Sequence, residues 1–208
     1  MKKSMCITYI VDGKLYVNLT NRCSNRCDFC IRNNGDGAYG SDSLWLEREP
    51  TANEIIDSVM SHDLKVFPEL VFCGYGEPTY RLEDAICVAR AVREKYPHML
   101  VRINTNGHSD LIHGRDTSAD YAGVFDSVSI SLNGPTAEKY QQICHSIYGE
   151  QSFDAILTFA QNVKRYVDNT VFSVVKETLT AEEIELCKAI SNETGVTLRL
   201  RDYIPPES

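Results

Sequence analysis

Regular alternation of short β-rich runs with helical stretches constrains this chain most. Apolar, β-branched runs fall at 6–11, 14–19, 70–73, 99–103, 128–132, 171–175 and 196–200. Asp12-Gly13 between the first two predicts a hairpin. From the second run onward, each is followed by helical signals. Thr51 with Glu54, and Thr180 with Glu183, have capping-box spacing and predict helices over 51–62 and 180–193, the second stopped by Gly195. Helical patterns also occupy 85–92, 116–122, 136–146 and 153–167, with Pro135 suited to a first turn. Strand–helix alternation means a parallel sheet with right-handed crossovers. Six strands in that series are too few for a closed eight-stranded barrel. The expected fold is therefore α/β, a partial (β/α)6 TIM-like barrel with an N-terminal β-hairpin, built by residues 1–208 as a single domain. Residues 204–208 read as a frayed end.

The second run leads into Asn21-Arg22-Cys23-Ser24-Asn25-Arg26-Cys27-Asp28-Phe29-Cys30, a loop at the C-terminal end of a strand, where α/β proteins place their chemistry. Met1-Lys2-Lys3 opens no signal peptide, because Asp12-Gly13 breaks the apolar stretch, and no run is long enough to span a membrane. A cytoplasmic, reducing compartment is expected. Eight cysteines then read as metal ligands and buried thiols rather than disulfides. A net charge of −8 argues against general nucleic-acid binding. Thiolates ligate both zinc and iron–sulfur clusters, and a structural zinc wants four protein ligands. Cys23, Cys27 and Cys30 form one tight triad, a metal site one ligand short. Cys73, in a predicted strand, is the available fourth cysteine, and a zinc- or cluster-binding module without catalysis is the non-enzymatic reading. Cys87, Cys187 and Cys144 fall in helical patterns as buried thiols, and Cys6 lies in the first strand. The five histidines show no metal-ligand spacing. His108 and His113 lie on a strand-end loop and are substrate-side candidates.

Cys23-x3-Cys27-x-Phe29-Cys30 resembles the signature of the radical SAM enzymes, and the resemblance runs through most of the chain. It implies a [4Fe-4S] cluster held by Cys23, Cys27 and Cys30, with the fourth iron bound by the amino and carboxylate groups of S-adenosylmethionine. Gly74-Tyr75-Gly76-Glu77-Pro78 is similar to the family's Gly-Gly-Glu-Pro motif, which binds the amino group of the methionine moiety; Tyr75 stands where glycine is commoner. Asn104 and Asn106 match an ending beside the cofactor. Ser131 and Asn133 match positions that bind its ribose and carboxylate. Some members carry a charged pair there, so Lys176 and Arg201 are the candidate counter-charges in this chain. The implied activity is reductive cleavage of S-adenosylmethionine to a 5′-deoxyadenosyl radical that abstracts hydrogen from a substrate. The electron would come from a partner such as flavodoxin or ferredoxin. Residues 45–50, 72–80 and 129–133 look most like the small TatD-associated radical SAM proteins. Glycyl-radical-enzyme activases and 7-carboxy-7-deazaguanine synthases are alternative small relatives. The substrate, small molecule or protein, is left open; an open barrel side would suit a large or protein substrate and so favours the activase alternative.

Overall fold

A computed structural model describes residues 2–205. Strands β1 (Thr8–Val11) and β2 (Lys14–Val17) form the expected hairpin. Asp12 and Gly13 both take positive φ, 49° and 71°, as a two-residue turn matched to strand twist requires. Next come β3 (Glu69–Phe72), β4 (Leu100–Thr105), β5 (Ser127–Ser131), β6 (Asn169–Val175) and β7 (Thr197–Arg201). The seven strands lie side by side in chain order, parallel from β2 onward. β1 and β7 are the two edges of an unclosed sheet, the expected TIM-like partial barrel.

The helices are α1 (Ala52–Met60), α2 (Leu82–Lys95), α3 (Ser109–His113), α4 (Ala137–Cys144), α5 (Gln151–Val163) and α6 (Ala181–Thr194). Both capping boxes form, and Gly195 closes α6 at φ 66°. Three local expectations are corrected. The helix expected over 116–122 is instead α3, stopped by left-handed Gly114, followed by a separate 3₁₀ turn at Ser118–Tyr121 whose start Asp116 holds through the Ser118 amide. Pro135 precedes the α4 N-cap rather than opening the helix; Thr136 Oγ1 takes the Lys139 amide at 3.1 Å. β4 runs on through Asn104 and Thr105, because pairing with Ser129 and Ile130 of β5 overrides their turn propensity. Of the end expected to fray, 206–208 lie outside the described residues, while the Ile204 carbonyl is held by Asn34 Nδ2 at 2.9 Å.

Period-two alternation divides the sheet. Leu15 and Val17, Leu70 and Phe72, Val101 and Ile103, Val128 and Ile130, and Phe172 and Val174 are buried in the main core with the helices. Each such side chain contributes about 1.5–3 kcal/mol on burial. The intervening residues face away from the helices, into the lumen of the open barrel. A smaller core of Tyr9, Val11, Ala38, Leu44 and Tyr75 seats the long loop after the cysteines.

Candidate active site

The cysteine loop is fastened by residues distant in sequence. At its base, Asn18 Nδ2 donates to the Leu44 carbonyl at 2.8 Å, and Asn21 exchanges two hydrogen bonds with Leu46. Trp45 stacks edge-on against Tyr75, which docks the 44–46 segment. Gly74 and Gly76 are required by close approach. A Cβ on Gly74 would stand 2.1 Å from Asn18 Oδ1, and one on Gly76 2.2 Å from the Thr20 carbonyl. The Glu77 amide donates to the Arg22 carbonyl at 2.7 Å. On the other flank, the Arg26 and Asp28 amides donate to the carbonyls of Cys144 and Ile143 at the end of α4.

Glu77 is buried and its carboxylate is fully engaged. It accepts from the Thr79 amide and hydroxyl, from Thr105 Oγ1 at 2.7 Å, and from the Asn106 amide at 2.6 Å. Burial nevertheless pushes this carboxyl above its ordinary range. Glu77 therefore ties the end of β3 to the end of β4. A second tie runs through His108, which is wholly buried. Its Nδ1 lies 2.9 Å from Ser24 Oγ and its Nε2 3.2 Å from Tyr140 OH. Asn25 Nδ2 donates to the same phenol at 2.7 Å, and Asn106 Nδ2 to Ser24 Oγ at 2.8 Å. Burial lowers the His108 pKa to about 4, so the imidazole is neutral, donating at one nitrogen and accepting at the other.

Cys23, Cys27, Cys30, Gly74, Tyr75, Asn104, Asn106, Ser131 and Asn133 all line one cavity of about 270 Å³ at the C-terminal ends of the strands. The expected site residues that do not line it are Gly76 and Glu77, which stand behind and position those that do. Asn133 holds a left-handed φ of 57°. Among the described residues, the side-chain oxygens of Asn25, Asn104 and Asn133 are buried without a hydrogen-bond partner, although their residues line the cavity. A buried acceptor left in that state costs about 1–3 kcal/mol, so these oxygens suit a ligand bearing amino or hydroxyl groups. Burial pushes the Cys23 thiol up to about 12. The adjacent Cys144 thiol, then burial, raise Cys27, and burial raises Cys30. The Arg32 charge opposes the rise at all three. Among the described residues, no three His, Cys, Asp or Glu side chains converge as ligands of a single metal ion do.

Several expectations change. Lys176 pairs with Asp202 and Glu177 at the surface and does not reach the cavity, whereas Arg201 lines it. Cys73 also lines it. Cys187 is buried as expected, but Cys87 is exposed, lying on the solvent stripe of α2 between the buried Ala85 and Val88. His108 is a structural tie, and His113 Nε2 lies 2.8 Å from the Thr79 carbonyl; neither lines the cavity. Two contributors escaped the sequence reading. Arg32 bonds the Asn25 carbonyl at 2.8 Å beside the thiols. Cys144, read only as a core thiol, accepts from Asn133 Nδ2 at 3.4 Å and touches Cys27. The one available signal for Arg32 was its place just after the triad.

An unclosed parallel barrel with a three-cysteine loop at its C-terminal end defines the class. Residues 17–190 match the Radical SAM superfamily, so the chain belongs to that superfamily and is an enzyme of it; the family implies S-adenosylmethionine and an iron–sulfur cluster. GTP 3′,8-cyclase of Corynebacterium glutamicum is 33% identical over 132 residues, 61% of this chain and 32% of that enzyme. The chain thus spans about a third of the length of the curated relatives it matches. SuiB of Streptococcus suis bound to the precursor peptide SuiA superposes at a TM-score of 0.65 and 15% identity, over 91% of this chain and 39% of that one. The anSMEcpe structure with bound AdoMet and Cp18Cys peptide gives 0.64 at 19% identity, over 92% and 50%. At such identities the likeness is one of fold. Family membership sets aside the reading of a binding module without catalysis.

Proposed function

We propose that Cys23, Cys27 and Cys30 each ligate one iron of a [4Fe-4S] cluster and that S-adenosylmethionine completes the fourth. The observation that carries this reading is the convergence of the triad with Asn104, Asn106, Ser131 and Asn133 on one cavity. When bound, these groups supply a one-electron reductive cleavage whose carbon radical removes hydrogen from a substrate. The protein's part is placement. Gly74 and Tyr75 border the cofactor, while Gly76 and Glu77 brace the cysteine loop and the end of β4 against each other. The free oxygens of Asn25, Asn104 and Asn133 accept from the amino and ribose hydroxyl groups. Of the two candidate counter-charges, Arg201 serves the cofactor's carboxylate, because it lines the cavity and Lys176 does not. Tyr75 OH reaches the carbonyls of Gly35 and Gly37 at 2.9 and 2.8 Å, so the residue found where glycine is commoner anchors the loop covering the site.

Residues 1–208 act in this reading as a single radical SAM core domain. The electron donor is a partner such as a flavodoxin or ferredoxin, and the resemblance of residues 45–50, 72–80 and 129–133 supports a place among the TatD-associated proteins. No described helix is long and apolar enough to cross a membrane. The test is anaerobic reconstitution with iron and sulfide, then dithionite and S-adenosylmethionine. A brown protein forming 5′-deoxyadenosine is expected. A colourless protein holding one zinc, or a brown one forming no 5′-deoxyadenosine, contradicts the reading.

A further inference from the structure

The lumen of a parallel barrel is ordinarily packed with bulky branched side chains. Here it carries cations. Val101 and Ile103 face the helices, so Arg102 between them faces the lumen. The guanidinium of Arg199 on β7 reaches across β6 and donates to Ser129 Oγ of β5 at 3.0 Å. That contact fixes its direction and, by period-two alternation, that of Arg201.

The carboxylate that answers these cations is Glu69, and it is shared. Arg102 pairs with it at 3.2 Å and Lys14 at 3.3 Å. Arg102 also donates to Tyr16 OH at 3.4 Å. Among the described residues, neither Arg199 nor Arg201 has an ion-pair partner. The Nε–H groups of Arg102 and Arg201 are buried with no acceptor, although Arg102 is only 8% exposed. Each such donor costs about 1–3 kcal/mol if nothing accepts from it. The guanidiniums also repel: burial, then the charges of Arg102 and Arg201, hold Arg199 below the ordinary arginine range. Among the described residues, three arginines and Lys14 have the one carboxylate of Glu69 between them, so this constellation is short of an anion. The planar guanidinium fork fits a carboxylate or phosphate in a bidentate way. Arg201 and Tyr16 line the cysteine cavity as well, so lumen and cavity are continuous, and Arg199 on the edge strand is open to solvent.

We propose that this lumen binds the anionic group, carboxylate or phosphate, of a small-molecule substrate, with Arg102 and Arg199 as its principal donors and Arg201 at the boundary with the cofactor. The word substrate rests on the radical SAM reading; the anion site rests on the arginines alone.

The test is calorimetric titration of the anaerobically reconstituted full chain with inorganic phosphate, pyrophosphate and succinate, each with and without saturating S-adenosylmethionine. Saturable binding of at least one probe is expected under both conditions. Binding of the phosphates alone assigns a phosphorylated substrate, and of succinate alone a carboxylate. Loss of one charge-assisted hydrogen-bonding group is worth about tenfold or more in affinity, so Arg199→Gln and Arg102→Gln should each weaken binding by that factor. Arg90→Gln, on the exposed face of α2, should leave it unchanged. Arg102 holds a largely buried partner, so Arg199→Gln decides if the other variant fails to fold. The proposal is overturned if no probe binds saturably, if S-adenosylmethionine displaces the probe, or if Arg199→Gln binds as the wild type does. Formation of 5′-deoxyadenosine, assayed separately, shows whether the radical SAM reading has failed instead.

Discussion

The two sides of the barrel mouth are built on opposite principles. At the ends of β2, β3 and β4, side chains far apart in sequence satisfy one another. Glu77 takes four donors, His108 links Ser24 to Tyr140, and two glycines let strands and loop approach closely. On the β7 side the polar groups outnumber their partners: among the described residues Arg199 and Arg201 pair with no carboxylate, and Leu200 faces solvent. Closed networks of hydrogen bonds in a low-dielectric interior specify one geometry. A constellation short of counter-charges is held ready for a ligand. The first side places sulfurs; the second receives what reacts.

The largest test of that contrast removes a sulfur. Cys27→Ala should abolish the brown colour and 5′-deoxyadenosine formation, whereas Cys187→Ala, buried against the helices, should spare both; iron content and product assay read the difference. Equal loss in the two variants would mean the ligand set is wrongly assigned. Next is Gly76→Ala, whose Cβ would stand 2.2 Å from the Thr20 carbonyl and 2.6 Å from that of Arg22. Overpacking costs about 1–3 kcal/mol, and a backbone contact this close belongs at or beyond the upper end. Lower thermal stability and poorer iron retention are expected, and an unchanged melt would show that the loop yields freely.

His108 gives a pH signature. Its folded pKa, about 4, lies below the ordinary 6.5, so protonation favours the unfolded chain. The neutral form's stability is complete above pH 6.5 and is lost as pH falls toward 4, by roughly 2–3 kcal/mol at the lower limit. Chemical denaturation of wild type against His108→Gln across that window should show a steeper acid loss in the wild type; parallel curves would mean the ring is reached by water. The smallest effect is expected on the other side. Leu200→Ser, at a position 44% exposed, should change stability within about 0.5 kcal/mol, and a larger loss would reveal packing on that edge.

The same contrast explains what the sequence made legible. The hairpin at Asp12 and Gly13, both capping boxes and the cysteine triad are local patterns, and each stands where it was read. The Gly74–Pro78 turn was legible as a motif, but its division of labour was not. Which glycine abuts the loop depends on Asn18 and Thr20, and that Glu77 faces β4 rather than the cavity depends on Thr105, 28 residues away. His108 and Tyr140 meet Ser24 and Asn25 across 84 and 115 residues, and Cys144 reaches Cys27 only because α4 ends beside the loop. The lumen arginines sit in alternating strands, where their direction follows from register and no composition signal marks them. The strand read over 99–103 runs on through Asn104 and Thr105 because ladder pairing with β5 outweighs their local preference.

The central claim is that the triad leaves one metal position for the cofactor. It is tested most directly by pulsed electron–nuclear double resonance on the reduced, reconstituted protein with S-adenosylmethionine carrying nitrogen-15 in its amino group. Direct nitrogen-15 coupling to the cluster spin is the expected result. A fully assembled cluster that shows no such coupling at saturating S-adenosylmethionine would contradict the claim.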